Sequence, residues 1–268
     1  QCGGHWLPTF CFCPWSSWAP ATADLFQSGG STCRSDSAVR VNESLLQTPI
    51  SFGSLLKRLD IGAKSAVNIG ARDGQTHDPI YPLFASGYSG VAIEADARWN
   101  ETLRLAFANF SGRVTHEIQF VNATNIASLL NRHETPRGLA ALKVDIDSLD
   151  LPVLQAILEA GYTPAVLMAE INPDVPPPFS FYVSATPGLR DFEGFYGTSL
   201  QALYDLLRRH DFALVQIENQ GQEHNAWFVH RSHLARGGLG ALTQEQMVAQ
   251  FFAAYPLQSS NPHGTLEP

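Results

Sequence analysis

Past Cys33 the chain has no cysteine: all four, Cys2, Cys11, Cys13 and Cys33, lie in the first 33 of 268 residues. The main part of the chain therefore uses neither disulfides nor a cysteine nucleophile, and the Cys11/Cys13 pair lacks the C-x-x-C spacing of zinc and redox sites. Long apolar runs are missing too. No segment approaches the about 18 consecutive apolar residues of a membrane-spanning helix, so no transmembrane segment is expected within this chain. Positive charge is scarce, with 17 Lys and Arg against 25 Asp and Glu and a formal net charge of −8. An acidic surface repels phosphate backbones, so no nucleic-acid partner is expected. Internal repeats, a P-loop and a G-x-G-x-x-G fingerprint are likewise absent. What is present, 44% hydrophobic and 16% charged residues, is an ordinary globular balance that excludes wholesale disorder.

Composition divides the chain into three stretches. Residues 1–40 carry Trp6, Trp15 and Trp18 among Pro, Ser, Gly and Cys without periodicity, and read as a disordered arm or the remnant of a leader, with Ala21-Thr22-Ala23 resembling a leader cleavage site. Residues 41–235 are periodic. Apolar strands at Ala66–Gly70, Val91–Ala95, Glu117–Val121, Ala140–Asp145 and Ala165–Ile171 alternate with helices at Pro49–Leu59 (capped by Thr48), Pro79–Ser86, Asn100–Asn109, Ile126–His133, Pro152–Gly161 and Ser199–His210. Two closing strands, Ala213–Glu218 and Ala226–His230, are joined by a polar connection. Residues 236–268 hold a Gly237–Gly240 loop, a helix from Thr243 to Tyr255 and a tail. Strands alternating with helices imply parallel pairing through right-handed crossovers. The expected fold is thus α/β, a Rossmann-like doubly wound, mostly parallel seven-stranded sheet with an antiparallel strand in the C-terminal hairpin.

Ligands of such sheets bind beyond the carboxyl ends of the strands. There the first strand delivers Asn68, Gly70, Arg72, Asp73 and Gly74, the second Glu94 and Asp96, the third Asn122 and Ala123, the fourth Asp145 and Asp147, and the fifth Glu170 and Asn172. The Gly70-x-x-x-Gly74 spacing lets backbone approach a ligand without a Cβ clash. Glu94, 24 residues after Gly70 at the end of the second strand, is placed to accept both hydroxyls of a ribose. Together they point to a nucleoside-binding site.

These segments carry a family resemblance. Val67-Asn68-Ile69-Gly70-Ala71-Arg72-Asp73-Gly74 resembles motif I of class I S-adenosylmethionine-dependent methyltransferases, in particular the FkbM-like group, and Val91-Ala92-Ile93-Glu94-Ala95 resembles motif II. Ala141-Leu142-Lys143-Val144-Asp145-Ile146-Asp147 is similar to that group's fourth-strand signature, and Ala169-Glu170-Ile171-Asn172-Pro173 to a fifth-strand segment of its relatives. The resemblance runs from about Ser65 to Arg231, with two departures: Asn68 stands where an acidic residue is usual, and Ser148 where glycine is. It implies a methyltransferase with S-adenosylmethionine (SAM) as cofactor. Asn68, Gly70, Arg72, Asp73 and Gly74 would lie against the methionine part, Glu94 at the ribose, and Asp96, Asn122 and Ala123 at the adenine.

A hydroxyl acceptor needs a base or a metal to become nucleophilic. Asp145, Asp147 and Glu170 are the catalytic candidates: they would either hold Mg²⁺ or set one raised-pKa carboxyl beside ionised neighbours. Asp145 and Asp147, two apart on an extended chain, are expected to point the same way, while Asp150 is assigned to capping the next helix. His77 is a further candidate base; His224, His230 and His233 read as surface residues. The irregular stretch Asn172–Gly197 carries Phe179, Phe181, Tyr182, Phe192, Phe195 and Tyr196, suited to a lid or acceptor platform. The acceptor is read as a small molecule or glycan, and the oligomeric state stays open. Asp145-Ile146-Asp147 also fits the D-x-D of a metal-dependent glycosyltransferase, and Asn68 with Ser148 fits a degenerate methyltransferase-fold binding module. Four N-x-S/T sequons, at Asn42, Asn100, Asn109 and Asn122, admit a secretory route, the alternative being a soluble cytoplasmic protein.

Overall fold

The computed structural model describes residues 50–184, 196–220 and 223–256. The leading arm, Thr48, Phe192, Phe195 and the Ser259–Pro268 tail lie outside the described residues. The chain divides into two units, Gln1–Ala38 and Val39–Pro268, and every described residue belongs to the second.

Helices and strands alternate in it as α1 (Phe52–Arg58), β1 (Ser65–Ile69), α2 (Tyr81–Ala85), β2 (Ser89–Glu94), α3 (Asn100–Ala106), β3 (Val114–Ile118), α4 (Ile126–Arg132), β4 (Ala141–Val144), α5 (Asp150–Glu159), β5 (Val166–Glu170), α6 (Leu200–Arg209), β6 (Phe212–Gln220), β7 (Glu223–His230), α7 (Arg231–Gly237) and α8 (Gln244–Ala254). The seven strands form one sheet in the order β3-β2-β1-β4-β5-β7-β6. The pairs from β3 to β5 are parallel, and β7 runs antiparallel to both β5 and β6. This is the Rossmann-like doubly wound α/β fold expected, with its antiparallel strand in the C-terminal hairpin. The strand order reverses between β1 and β4, the switch point at which such sheets open a crevice.

Alternation along the strands sorts the core into two layers. Val67, Ile69, Val91, Ile93, Leu142, Val144, Leu167 and Ala169 join the layer that includes α4, α5, α6 and α8. Ala66, Ala92, Ala141, Val166, Met168 and Trp227 join the layer of α1, α2 and α3. The second layer is built of small residues at the switch point, and two polar side chains, Asn68 and Lys143, share its parity and are buried in it. Following the same parity outward, the next positions are Gly70, Glu94, Asp145 and Glu170, so the strand-end polar groups share one face of the sheet.

Local chemistry places the helices. Ser51, not Thr48, caps α1, through a reciprocal box with Ser54. Asp78 Oδ1 accepts the N–H groups of Ile80 (2.7 Å) and Tyr81 (3.0 Å) ahead of α2. Ser199 caps α6, and Thr243 forms a capping box at α8. Among the described residues, no helix is long and apolar enough to cross a membrane.

Two elements depart from expectation. β3 starts at Val114, three residues before the stretch the alternation marked. Within this strand only Val114 is buried, so the exposed sheet edge leaves little pattern to read. The helix α7 follows β7 without a turn, in a polar sequence with one apolar anchor, Leu234. Gly237 is part of this helix rather than of a loop, and a Cβ there would come 2.6 Å from the Leu59 side chain, which is why a glycine fits the position.

Candidate functional site

The site begins with the β1 turn. Gly70 takes φ +84°, and a Cβ on it would lie 1.6 Å from the Asp145 carbonyl oxygen. A Cβ on Gly74 would meet Leu103 and Phe107 at 2.8 and 2.9 Å. The two glycines thus make room for the protein's own β4 end and for the side chains of Leu103 and Phe107. Gly70 and Ala71 both donate to the Ile93 carbonyl, at 2.9 and 3.1 Å, drawing the turn onto β2.

Beside it, Glu94 is held by backbone. One carboxylate oxygen accepts the Arg72 N–H and the other the Asp96 N–H, each at 2.8 Å. A carboxylate oxygen has two lone-pair directions, so each retains one for a further donor. Arg72 adopts φ +51° to make its contact, and its guanidinium lies 5.9 Å from the centre of the Trp99 ring. Asp73 accepts from Gln75 (3.0 Å) and Thr76 (2.8 Å). Burial would raise its pKa, but the hydrogen bonds from Thr76 and Gln75 and the charge of Arg72 outweigh it and hold the carboxyl below its ordinary value. Asp96 caps the turn Ala97–Trp99 and pairs with Arg98 at 2.5 Å. Asn122 accepts from Thr124 and Asn125 ahead of α4, and Ala123 is exposed.

On the other side of the switch point the carboxylates face one another. Asp145, Asp147 and Glu170 each bring an oxygen within 4.8 Å of the other two. They do not converge as sequence reasoning had it. The strand ends at Val144, and Asp147 turns back through φ +55°, so a left-handed residue aims the second carboxylate. Burial and the neighbouring Asp145 raise the pKa of Asp147, against a lowering hydrogen bond with Glu170. Burial, then the charges of Asp145, Asp147 and Asp150, push Glu170 far above the ordinary carboxyl range. Its Oε2 is buried without a hydrogen-bond partner. Asp150 sits one position inside α5; its oxygens accept from Ile146 (2.9 Å) and Ser148 (3.0 Å), so it secures the turn that carries Asp147. Burial raises it to about 7.

Three residues that the sequence reading did not single out complete the arrangement. Lys143 is buried and donates to the Gly70 carbonyl at 2.7 Å, with its ammonium 2.9 Å from Asp145 Oδ2. Asp78 accepts a hydrogen bond from Asn68 Nδ2, leaving Asn68 Oδ1 buried and unpartnered. Asn225 of β7, opposite Glu170 in the register, is buried with Oδ1 unpartnered. The readable signal for Lys143 was its place in an apolar strand with the parity of Asp145; the chain has only three lysines. His77 is exposed, whereas His224, His230 and His233 are half-buried rather than surface residues. Of the aromatic loop, Phe179 and Tyr182 are exposed. Burial, with the charges of Glu170, Asp174 and Asp147, pushes Tyr196 up to about 12.

No family model matches the chain, and no curated protein matches it. Solved structures of similar chain course include a fibrillarin pre-rRNA processing protein from Methanococcus jannaschii, 12% identical, covering 63% of this chain and 67% of its own with a TM-score of 0.44. An O-methyltransferase family protein from Burkholderia thailandensis is 11% identical over 66% of this chain and 55% of its own, with a TM-score of 0.42. A protein of the NADB-Rossmann superfamily from Streptococcus agalactiae is 12% identical over 68% and 69%, with a TM-score of 0.41.

Proposed function

We propose that the chain is a SAM-dependent methyltransferase of the FkbM-like kind that methylates a hydroxyl of a small molecule or glycan. The observation that carries this reading is Glu94, fixed by two backbone N–H groups at the end of β2 with one acceptor direction free on each oxygen, the pattern a ribose diol requires. Buried Asn68 Oδ1, unpartnered at the switch point, supports it by offering an acceptor beside the β1 turn. The acid missing at position 68 has a substitute in Asp78, whose carboxylate is hydrogen-bonded to Asn68.

Bound there, SAM would supply a methyl group activated by its sulfonium. Asn68, Gly70, Arg72, Asp73 and Gly74 would hold the methionine part, Glu94 the ribose, and Asp96, Asn122 and Ala123 the adenine. The rest is done by the chain's own carboxyls. Asp145 is anchored to Lys143. Glu170, its pKa raised, keeps its proton at neutral pH and hydrogen-bonds Asp147. Asp147 is the outermost of the three and serves as the base that takes the proton from the acceptor hydroxyl. Exposed Phe179 and Tyr182 offer flat apolar surfaces to the acceptor.

Calorimetric titration of the full chain with SAM tests this. One-site binding is expected, weakened by about tenfold or more in Glu94→Ala, where two backbone donors lose their acceptor. Asp147→Asn is expected to bind SAM as the wild type does and to lose turnover by about 100-fold. A folded chain that gives no binding heat sinks the reading.

A further inference from the structure

The cluster of Asp145, Asp147 and Glu170 has the oxygen-rich composition that Mg²⁺ prefers. It also has a cation built into it. We propose that the Lys143 ammonium is the resident cation of this site, standing in the place of a divalent ion and positioning Asp145 and the Gly70 turn for the reaction.

Four observations support this. Lys143 is buried at 5% exposure, in a chain with only three lysines, and a lysine is rarely buried to that extent unless it is paired. Its ammonium donates to the Gly70 carbonyl and pairs with Asp145 Oδ2, so one group ties the β1 turn to the end of β4 across the switch point. The charges facing it are Asp145, Asp78 and Glu170, all carboxyls, and they keep it protonated against burial. Asp147 faces the Lys143 ammonium and the Arg72 guanidinium as well as Asp145 and Glu170, so the cluster already has cations set against it. A divalent ion ligated by Asp145 would have to share that carboxylate with the ammonium and meet its repulsion at short range. A hydroxyl acceptor is then activated by carboxylate chemistry alone, and turnover needs no added metal.

This inference rests on the same strand-end site as the methyltransferase reading, yet its readout is independent: the ion titration can fail while SAM binds, and SAM binding can fail while the titration succeeds. The test is calorimetric titration of the full chain with MgCl₂ and MnCl₂ into the millimolar range, where weak oxygen-ligand sites already fill. No saturable binding to the wild type is expected. Lys143→Met removes the ammonium and leaves the carboxylates, so it is expected to gain a single Mn²⁺ site at least about tenfold tighter than any wild-type binding, with a rise in Tm on adding Mn²⁺. A purely structural lysine would not produce that gain. A folded Lys143→Met chain with no gain overturns the proposal. Saturable wild-type binding that is lost in Asp145→Asn overturns it as well. If Lys143→Met does not fold with or without Mn²⁺, the wild-type titration alone decides: no saturable site supports the proposal, and a site that Asp145→Asn removes ends it.

Discussion

The acids on the two sides of the switch point are the same kind of residue in the same kind of position, and they behave oppositely. On the β1–β2 side, Asp73 and Glu94 each end near a strand tip and receive backbone N–H groups. For Asp73 these hydrogen bonds, with the charge of Arg72, outweigh burial and hold the carboxyl below its ordinary value. On the β4–β5 side, Asp147, Asp150 and Glu170 are crowded by burial and by one another, and their proton affinity rises. Burial comes first in this difference, since Asp150 also accepts two backbone N–H groups and is still raised, and backbone geometry comes second. The β1 turn bends through left-handed Arg72 and directs an N–H toward Glu94, while the turn after β4 bends through left-handed Asp147 and directs a carboxylate toward Glu170. A fixed dipole stabilises charge without a competing titration, whereas a second carboxyl makes a shared proton the cheaper arrangement. One half is thus suited to holding a ligand and the other to moving a proton.

The contrast can be broken most severely at the seam between the halves. Gly70→Ala would put a Cβ 1.6 Å from the Asp145 carbonyl, on a residue already at φ +84°. Neither the β1 turn nor β4 can yield without losing strand pairing, so a loss of about 3 kcal/mol or more is expected, read as a collapse of soluble folded protein or of Tm.

A second prediction sharpens the proton-holding side. Asp150 is raised to about 7 by burial from an ordinary value of 3.8. A carboxyl with a raised folded-state pKa gives its full stabilisation below the unfolded pKa and loses it as pH rises through the folded one. Stability should therefore fall between about pH 4 and about pH 7, by up to about 4 kcal/mol from this group. Glu170 prolongs the decline to higher pH. Denaturant unfolding of Asp150→Asn across the same range should show a flatter profile; an unchanged slope would remove Asp150 as its source.

The smallest effect belongs to the dipole-held side. Asp73→Ala removes two turn hydrogen bonds from a partly solvated group, so the loss should be no more than about 1 kcal/mol after screening. Because the folded-state pKa is depressed, this stabilisation is present above the unfolded value of 3.8 and disappears as pH falls through the folded one. The wild-type and Asp73→Ala curves should run parallel at neutral pH and converge in acid.

Much of this arrangement is legible in the sequence. Buried strands such as Val91–Ile93 and Val166–Ala169 announce themselves because they are apolar throughout, as central parallel strands tend to be, and the polar residue that follows, Glu94 or Glu170, marks the end. Glu94 could be placed by counting from Gly70. What escaped was set by contacts between distant segments. The spacing of Gly70 and Gly74 marks a backbone need without showing that Asp145, Leu103 and Phe107 impose it. Asp78 reaches Asn68 from a loop whose course no periodicity fixes. The helix α7 has too few apolar residues to show a period, and edge strand β3 buries too little of itself to show its bounds.

The antiparallel seat of β7 carries a consequence for how the protein can vary. Because β7 runs against β5, Asn225 comes to the pole of the carboxylates while His230 lies at the far pole, and the register aligns Glu170 with Asn225 and Val166 with Val229. Changes in length at residues 221–222 leave that alignment intact. A single deletion inside β7 would instead invert every side chain beyond it, exchanging Trp227 between the layers and turning Asn225 away from Glu170. In a library of insertions and deletions, the link between β6 and β7 should accept changes of either parity, and β7 itself should accept them only in pairs.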